Sequence, residues 1–289
     1  MKVRFAIAPA AGTRSAEELL GFAAAVEAAG FDGIWLSDLP VGPAVDPMLA
    51  LALIAGRTSS LKLGANVVPL GRNPFLLAKA LAQLDRLSGG RLLLSFVPGL
   101  DQPGERKALA WQGASRGAVL EETLARVRTW WSGGAPGDGV PADALVAPLQ
   151  DPLEVWLGGR APAALDRVGR IADGWLGALV TPAEAAAARA RIEAAADRAG
   201  REIDREHYGL SVAYARDAGD GRLFEDLRAR RRDADPRALL PVGAEGLRAM
   251  LGELIDGGLS KFVLRPAGPV ASWEAEAAWL AGAILDLQS

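Results

Sequence analysis

The sequence predicts an α/β protein folded as a single parallel (β/α)8 barrel over residues 1–289, a TIM barrel with irregular insertions after strands four and seven. Three observations favour this fold. Short apolar segments alternate with longer amphipathic ones, as in a parallel sheet covered by helices. About eight such units occur, which is the number in a closed barrel. The length of 289 residues, 50% of them hydrophobic, suits one barrel of this kind.

Near-continuous hydrophobicity marks the strands, because strands of a parallel sheet are buried on both faces. The predicted strands are 3–8, 32–36, 61–66, 91–97, 153–157, 173–178, 208–213 and 260–264. An open, doubly wound sheet is the alternative arrangement of the same units. It usually carries a glycine-rich dinucleotide loop after its first strand, and residues 8–12 (APAAG) are not such a loop.

Capping residues mark where helices begin. The starts are Ser15 with Glu18, Asp46-Pro47, Asn73-Pro74, and Thr181-Pro182 with Glu184, and Gly30 ends the first helix. The later helices are predicted at roughly 46–58, 74–87, 117–131, 161–171, 182–199, 243–256 and 272–286, with an extra one near 221–232.

Two stretches interrupt the alternation. Residues 132–152 are rich in glycine and predict a flexible connection before strand five. Residues 214–242 carry a run of charge that is either a solvated helix face or a lid over the barrel mouth.

Composition excludes several classes of site and partner. The chain has no cysteine and one histidine, His207, so thiolate–zinc, iron–sulfur and multi-histidine metal sites are excluded, and no metal is expected. A net charge of −3 gives no reason to expect nucleic acid or an anionic membrane as partner. No apolar run approaches the ~20 residues of a membrane helix, and a cytoplasmic protein is expected.

The active site of such barrels lies at the C-terminal ends of the strands. The residues expected there are Ser37, Asp38, Asn66, Arg72, Asn73, Ser95, Gly99, Gly158, Gly159, Arg160 and Arg265. This set is poor in acid–base groups. An apolar, glycine-lined mouth with arginines instead suits a planar cofactor with an anionic tail, in which the cofactor supplies the reactivity.

Several sequence segments are similar to one known family. The most specific runs from Leu63 to Pro74 and on through residues 77–91, and 30–35, 155–159 and 170–175 match as well. The chain thus resembles the luciferase-like superfamily, whose members use FMN or the deazaflavin F420. Residues 38–40 and 203–214 are similar to an actinobacterial-type group that uses F420.

The resemblance implies where the cofactor lies. A non-prolyl cis peptide, matching Asn66-Val67 here, would support the ring at the end of strand three. Phosphate contacts would fall on the glycines of strand five and on Gly177 and Ala178 after strand six. Together with the strand-end inventory, the predicted cofactor contacts are Ser37, Asp38, Asn66, Val67, Gly99, Gly158, Gly159, Arg160, Gly177 and Ala178.

Other roles stay open at the level of sequence. Asp38 matches a position where many relatives carry an acidic residue or histidine, so it is the catalytic candidate, with a loop cap as the alternative. The histidine pair familiar from the family is missing. Arg72 and Arg265 are candidates for a substrate or an anionic tail, against simple surface ion pairs. Trp111 is a candidate for the substrate wall.

Three functions are therefore weighed. The first is hydride transfer between F420 and a small organic substrate. The second is an FMN-dependent monooxygenase, and the third is a non-catalytic flavin- or deazaflavin-binding barrel. The resemblance also implies a homodimer through helices flanking strands two to four, and an apolar face on residues 46–58 is compatible with it.

Overall fold

The computed structural model is a closed barrel of eight parallel strands, which confirms the predicted fold class. The strands pair in chain order, and the first also pairs with the eighth. The structure describes residues 1–9, 15–100, 102–111, 115–135, 137, 140–219 and 221–289. Part of the loop after the first strand, and part of the predicted glycine-rich connection, lie outside the described residues.

All eight strands lie within two residues of the predicted bounds. They are β1 (Arg4–Ile7), β2 (Gly33–Ser37), β3 (Lys62–Val67), β4 (Leu92–Phe96), β5 (Val155–Gly158), β6 (Trp175–Ala178), β7 (Tyr208–Tyr214) and β8 (Lys261–Pro266).

The helices cover the outside of the barrel. They are α1 (Ala16–Ala28), α2 (Pro47–Ala55), α3 (Pro74–Leu87), α4 (Pro103–Ala108), α5 (Arg116–Trp131), α6 (Pro162–Ile171), α7 (Pro182–Arg198), α8 (Arg222–Arg230), α9 (Gly243–Asp256) and α10 (Trp273–Ile284). Helix α4 was not predicted. Helix α2 ends before residue 58, because the backbone N–H groups of Arg57 and Thr58 both donate to the Ile54 carbonyl in a closing turn.

The predicted helix starts are confirmed. Both capping boxes are present, Ser15 with Glu18 and Thr181 with Glu184. Asp46 and Asn73 accept first-turn backbone N–H groups of α2 and α3, each followed by proline at the first helical position. These caps fix the helix N-termini at the end of the barrel where the strands finish.

The barrel interior is filled by a small cluster of inward-facing side chains. It contains Ala8, Trp35, Leu176 and Val263, with Ala6, Leu93 and Trp156 packed against it. Gly64 makes room for the largest of these, because a Cβ built there would lie 2.0 Å from Cε3 of Trp35. Trp35 and Trp156 therefore fill the barrel interior.

One expectation about the backbone is wrong. The peptide between Asn66 and Val67 is not cis, and the cis peptide in the described chain is Asp151–Pro152. Asn66 and Val67 instead continue β3 in regular register with Ser95 and Phe96. The carbonyls of both residues accept backbone N–H groups of neighbouring strand ends, which holds this peptide in the extended sheet conformation.

None of the described helices combines the length and the apolar character that crossing a membrane requires.

Candidate active site

A cavity of about 400 Å³ opens at the C-terminal ends of strands β3 and β5 to β8. Six of the residues predicted for the site line it: Asn66, Gly158, Gly159, Gly177, Ala178 and Arg265. Most of the remaining wall is aliphatic, with Val97, Leu176, Leu179, Val180, Leu210, Val212 and Ala213 among its residues. The cavity thus lies where the sequence placed the site, and we call it the mouth cavity.

The insertion after β7 covers the mouth cavity. Leu227 and Arg230 from α8, together with Leu239, line its outer side. This cover has an apolar core of its own, formed by Ala215, Leu227, Leu239 and Leu240. Of the two interpretations left open for residues 214–242, the structure therefore places the segment over the mouth, as the lid hypothesis requires.

Arg231 fastens this lid to the barrel. Its guanidinium is fully buried, donates to the Leu179 carbonyl, and lies 2.7 Å from Glu184 and 2.9 Å from Asp233. The hydrogen bonds that Arg231 donates to Asp233 and Glu184 raise its pKa above the ordinary range. A buried cation held by two carboxylates and a carbonyl makes a fixed joint between α8 and α7.

Asp38 lies in an ion-pair network behind the end of β3. Its buried carboxylate accepts the Val68 backbone N–H at 3.1 Å and Arg72 Nη2 at 2.8 Å. The same Arg72 nitrogen donates to Asp46 at 3.2 Å, and its Nε donates to the Val68 carbonyl. Burial alone would lower the pKa of the Arg72 guanidinium. The carboxylates of Asp38 and Asp46 outweigh burial, so the pKa of Arg72 is raised.

This network changes the expectation for two candidates. Asp38 and Arg72 satisfy each other, and neither is among the described residues that line the mouth cavity. The geometry is that of a loop clamp, which ties the start of α2 to the end of β3 and so fixes the backbone at Asn66 and Val67.

Arg265 has a different environment. It lies on β8, and its side chain reaches past β1 to β2, where Nη2 donates to Ser37 Oγ at 3.2 Å. Asn66 Nδ2 donates to the same hydroxyl oxygen at 3.2 Å. Burial lowers the pKa of Arg265. Ser37, Asn66 and Arg265 thus form a polar group at the floor of the mouth, which we call the floor triad.

The glycines of β5 and β6 shape the opposite wall. Gly159 has φ +114°, and a Cβ on it would lie 2.8 Å from Cβ of Ala164, so a side chain there would disturb the first turn of α6. That helix begins after Ala161 with no side-chain cap. Pro162 has no N–H and the Ala164 N–H donates to the Ala161 carbonyl, so the Ala163 N–H is the first-turn donor that remains for a phosphate. Trp175 supports this wall by donating Nε1 to the Gly159 carbonyl at 2.9 Å.

The other predicted residues lie outside the cavity wall. Arg160 is exposed and lines a surface groove with Glu184 and Arg191. Gly99 has φ +72° and packs against Glu105, whose Oε1 would meet a Cβ at 2.0 Å. Trp111 follows α4 under the guanidinium of Arg106, which is 5.2 Å from the ring centre.

Among the residues that the structure describes, two polar side-chain atoms on this side of the barrel are buried without a hydrogen-bond partner. They are the Ser95 hydroxyl, beside Asn66 in register, and the Trp111 indole nitrogen. Buried polar atoms without partners are uncommon in folded proteins, and a bound ligand is one way to satisfy them.

Sequence reasoning missed part of the cavity wall. Ser211 lines the cavity from the middle of β7, between Gly209 and Ala213. Because side chains alternate between the two faces of a strand, Ser211 could have been predicted to point inward together with Gly209 and Ala213. Arg230 and Met250 come from the lid and from α9, and nothing in their local sequence indicates the cavity.

A second cavity of about 290 Å³ lies at the opposite end of the barrel, beneath Trp35 and Trp156. His207 lines it and has Nδ1 3.0 Å from the Asp173 carbonyl, at the end of the barrel away from the mouth cavity.

Comparison with known proteins bears on this arrangement. The family model for luciferase-like monooxygenases matches residues 1–245. A 5,10-methylenetetrahydromethanopterin reductase from Methanolobus tindarius is 26% identical over 256 residues, which cover 82% of this chain and 77% of that protein.

Solved structures share the whole architecture. An F420-dependent secondary alcohol dehydrogenase in complex with an F420-acetone adduct has a TM-score of 0.82 at 14% identity, covering 100% of both chains. A monooxygenase from Streptomyces bottropensis has a TM-score of 0.79 at 22% identity, covering 98% of this chain and 99% of that one. At these identities the two structures show the fold alone.

Proposed function

The chain belongs to the luciferase-like monooxygenase family, and from this premise we propose that it transfers a hydride between coenzyme F420 and a small organic substrate. Relatives in this family are oxidoreductases, which supports an enzyme. The relative it resembles is named as a methanopterin reductase, and solved structures of the same fold include enzymes named as F420-dependent; together they favour F420 over FMN as the cofactor.

One observation about the mouth cavity carries the proposal. The titratable side chains among its described lining residues are two arginines, Arg230 and Arg265. No carboxylate or imidazole on that part of the wall is available to exchange a proton with a substrate. An apolar cavity with cations suits a cofactor that carries the reactivity, while the protein contributes position and electrostatic field.

The residues present fit such a cofactor. Gly159 and the uncapped start of α6 offer backbone N–H groups to a phosphate at the exposed rim. Asn66 and Arg265 offer side-chain donors deeper in the mouth. The Ser95 hydroxyl, on the strand next to Asn66, is a further buried polar group without a hydrogen-bond partner.

F420, when bound, accepts or donates a hydride at its ring. The chain's own residues would orient the two reactants and exclude water from them. Leu227 and Leu239 provide an apolar roof, and Arg231 keeps the lid that carries them in place. Asp38, clamped by Arg72, holds the end of β3 in position instead of exchanging a proton.

The test is a binding titration of the purified protein with F420 and, separately, with FMN, followed by tryptophan fluorescence. Trp175 is a suitable reporter because its indole hydrogen-bonds to Gly159. Ala178→Phe places a ring in the mouth cavity, and Ala190→Phe places the same ring on the exposed side of α7.

We expect F420 to bind more tightly than FMN to the wild-type protein and to A190F, and A178F to lose at least tenfold in affinity for F420. Tighter binding of FMN would favour the monooxygenase. Binding of neither cofactor would contradict the proposal. An A178F protein that binds like the wild type would place the cofactor elsewhere.

A further inference from the structure

Arg265 differs from the other deeply placed arginine of this region in having no carboxylate partner. Arg231 is held by two carboxylates. In the chain as described, Arg265 makes no ion pair, and its side-chain hydrogen bond goes to the neutral hydroxyl of Ser37. Burial lowers its pKa, yet a guanidinium does not lose its proton in proteins. A permanent cation therefore stands in the mouth without compensation.

Such an arrangement costs folding free energy. A charge removed from water is tolerated where another charge or a set of hydrogen bonds compensates for it. One hydrogen bond to a hydroxyl is little compensation for five N–H donors. The missing negative charge is therefore expected to arrive with a ligand.

The neighbours of Arg265 define what the ligand presents. Ser37 Oγ accepts from both Asn66 and Arg265, so its own proton is free to be donated. Asn66 and Arg265 line the mouth cavity. The floor triad therefore offers several donors and one positive charge, and it suits a planar group whose edge carries acceptors and negative charge.

Depth separates this position from the phosphate site. Gly159, Arg160 and the start of α6 lie at the exposed rim, where a strongly hydrated phosphate keeps contact with water. Arg265 lies inside the barrel, behind Ser37 and Asn66. A guanidinium is weakly hydrated and pairs well with a delocalised anion in such a place.

We propose that Arg265 compensates the negative charge that the cofactor ring acquires on two-electron reduction, so that the protein binds reduced cofactor more tightly than oxidised cofactor. This inference rests on the proposed function. The hydride carries its electron pair from a substrate C–H bond to a ring carbon, and an alcohol substrate releases its hydroxyl proton to water and becomes a carbonyl. The ring keeps one added negative charge, and a cation near a flavin-type ring tunes its electronics.

The experiment compares the dissociation constants of oxidised and reduced F420 under anaerobic conditions, and the midpoint potential of the bound cofactor. The anionic tail is present in both forms, so its contribution cancels in the ratio of the two constants. Arg265→Gln removes the charge, and Arg265→Lys keeps it. Arg228→Gln is the control, because Arg228 is an exposed arginine on the same helix of the lid and is not among the residues that line the cavity.

We expect wild-type protein to prefer the reduced form, and R265Q to lose at least tenfold of that preference. A tenfold loss corresponds to a fall of ~30 mV in the two-electron potential. R265K should retain most of the preference, which a purely structural role of Arg265 would not produce, and R228Q should match the wild type.

If R265Q prefers reduced over oxidised F420 as strongly as the wild type does, the inference is overturned and the proposed function stands. An unchanged preference in R265Q, together with lost binding of a carboxylate substrate, would assign Arg265 to the substrate and overturn it as well. A wild-type protein that binds neither form of F420 would contradict both the proposed function and this inference.

Discussion

At the scale of single residues, the clamp of Asp38, Arg72 and Asp46 shows how a catalytic candidate can be a positioning group. The position of Asp38 after β2 is where an acid–base residue is expected in this fold. Its carboxylate instead accepts the Val68 N–H and pairs with Arg72. Sequence shows that the residue stands at the mouth, but the direction of its side chain depends on an arginine 34 residues away.

Replacing Asp38 by Asn tests the clamp. The substitution removes the negative charge from a nearly buried pair, and we expect a loss of about 2 kcal/mol in the free energy of urea unfolding. Asp46→Asn is the control: Asp46 is more exposed, and asparagine also caps helices, so the loss should stay below about 1 kcal/mol. Unchanged stability of D38N with a large loss of turnover would restore the acid–base role.

At the scale of elements, the strands and capped helices could be predicted because each is marked locally. Apolar runs give β1 to β8, and pairs such as Thr181 and Glu184 give the helix starts. Helix α4 could not be predicted in the same way. It has six residues and no side-chain cap at its N-cap position, and the buried Glu105 instead accepts the backbone N–H of Leu100 in the preceding loop, a contact outside the usual capping spacing.

The candidate active site could likewise be predicted only where its residues are marked locally. Glycines and polar residues at strand ends could be found, because parallel strands bring their C-terminal ends to one edge. The floor triad could not be inferred as a unit, since Arg265 reaches Ser37 across 228 residues of chain. The roof is likewise supplied by the lid, whose docking depends on Arg231.

The contribution of the Arg231–Glu184 ion pair to stability depends on pH, and the direction follows from the pKa of Glu184. Burial raises the pKa of the Glu184 carboxyl, but hydrogen bonds from Arg231 and Thr181 outweigh it, so the folded pKa lies below the ordinary value of 4.5. The joint therefore contributes its full stability above pH 4.5, and that contribution is lost as pH falls through the lowered folded pKa.

Glu184→Gln isolates this joint, because glutamine preserves the capping box with Thr181 while losing the charge that faces Arg231. We expect E184Q to cost about 1 kcal/mol in urea unfolding at pH 7 and to approach wild type near pH 3. Glu193→Gln, in an exposed pair with Arg189, should change stability by less than about 0.5 kcal/mol. A pH-independent effect of E184Q would argue against the ion pair.

At the scale of the whole molecule, the outer faces of α2 and α3 carry large apolar side chains. Leu49 is 70% exposed and Leu76 is 62% exposed. Leu51 and Ile54, which lie within the apolar segment 46–58, are fully buried against the barrel and are unavailable to a partner. The homodimer remains a prediction, now resting on Leu49, Leu53 and Leu76.

Leu49→Glu places a charge in the centre of this face, and we expect it to shift a dimer to monomer in sedimentation velocity. Leu87→Glu is the control, because Leu87 is 74% exposed but lies at the far end of α3. A wild-type protein that sediments as a monomer, or an L49E protein that remains dimeric, would contradict this interface.

The central claim is that the mouth cavity supports hydride transfer by a bound deazaflavin. The most direct measurement mixes the protein with reduced F420 and a panel of carbonyl acceptors, with and without dioxygen, and follows reoxidation of the deazaflavin by absorbance. The account predicts reoxidation that needs protein and acceptor, proceeds without dioxygen, and yields one reduced product per cofactor oxidised. Turnover that occurs with reduced FMN, and strictly requires dioxygen, would contradict it.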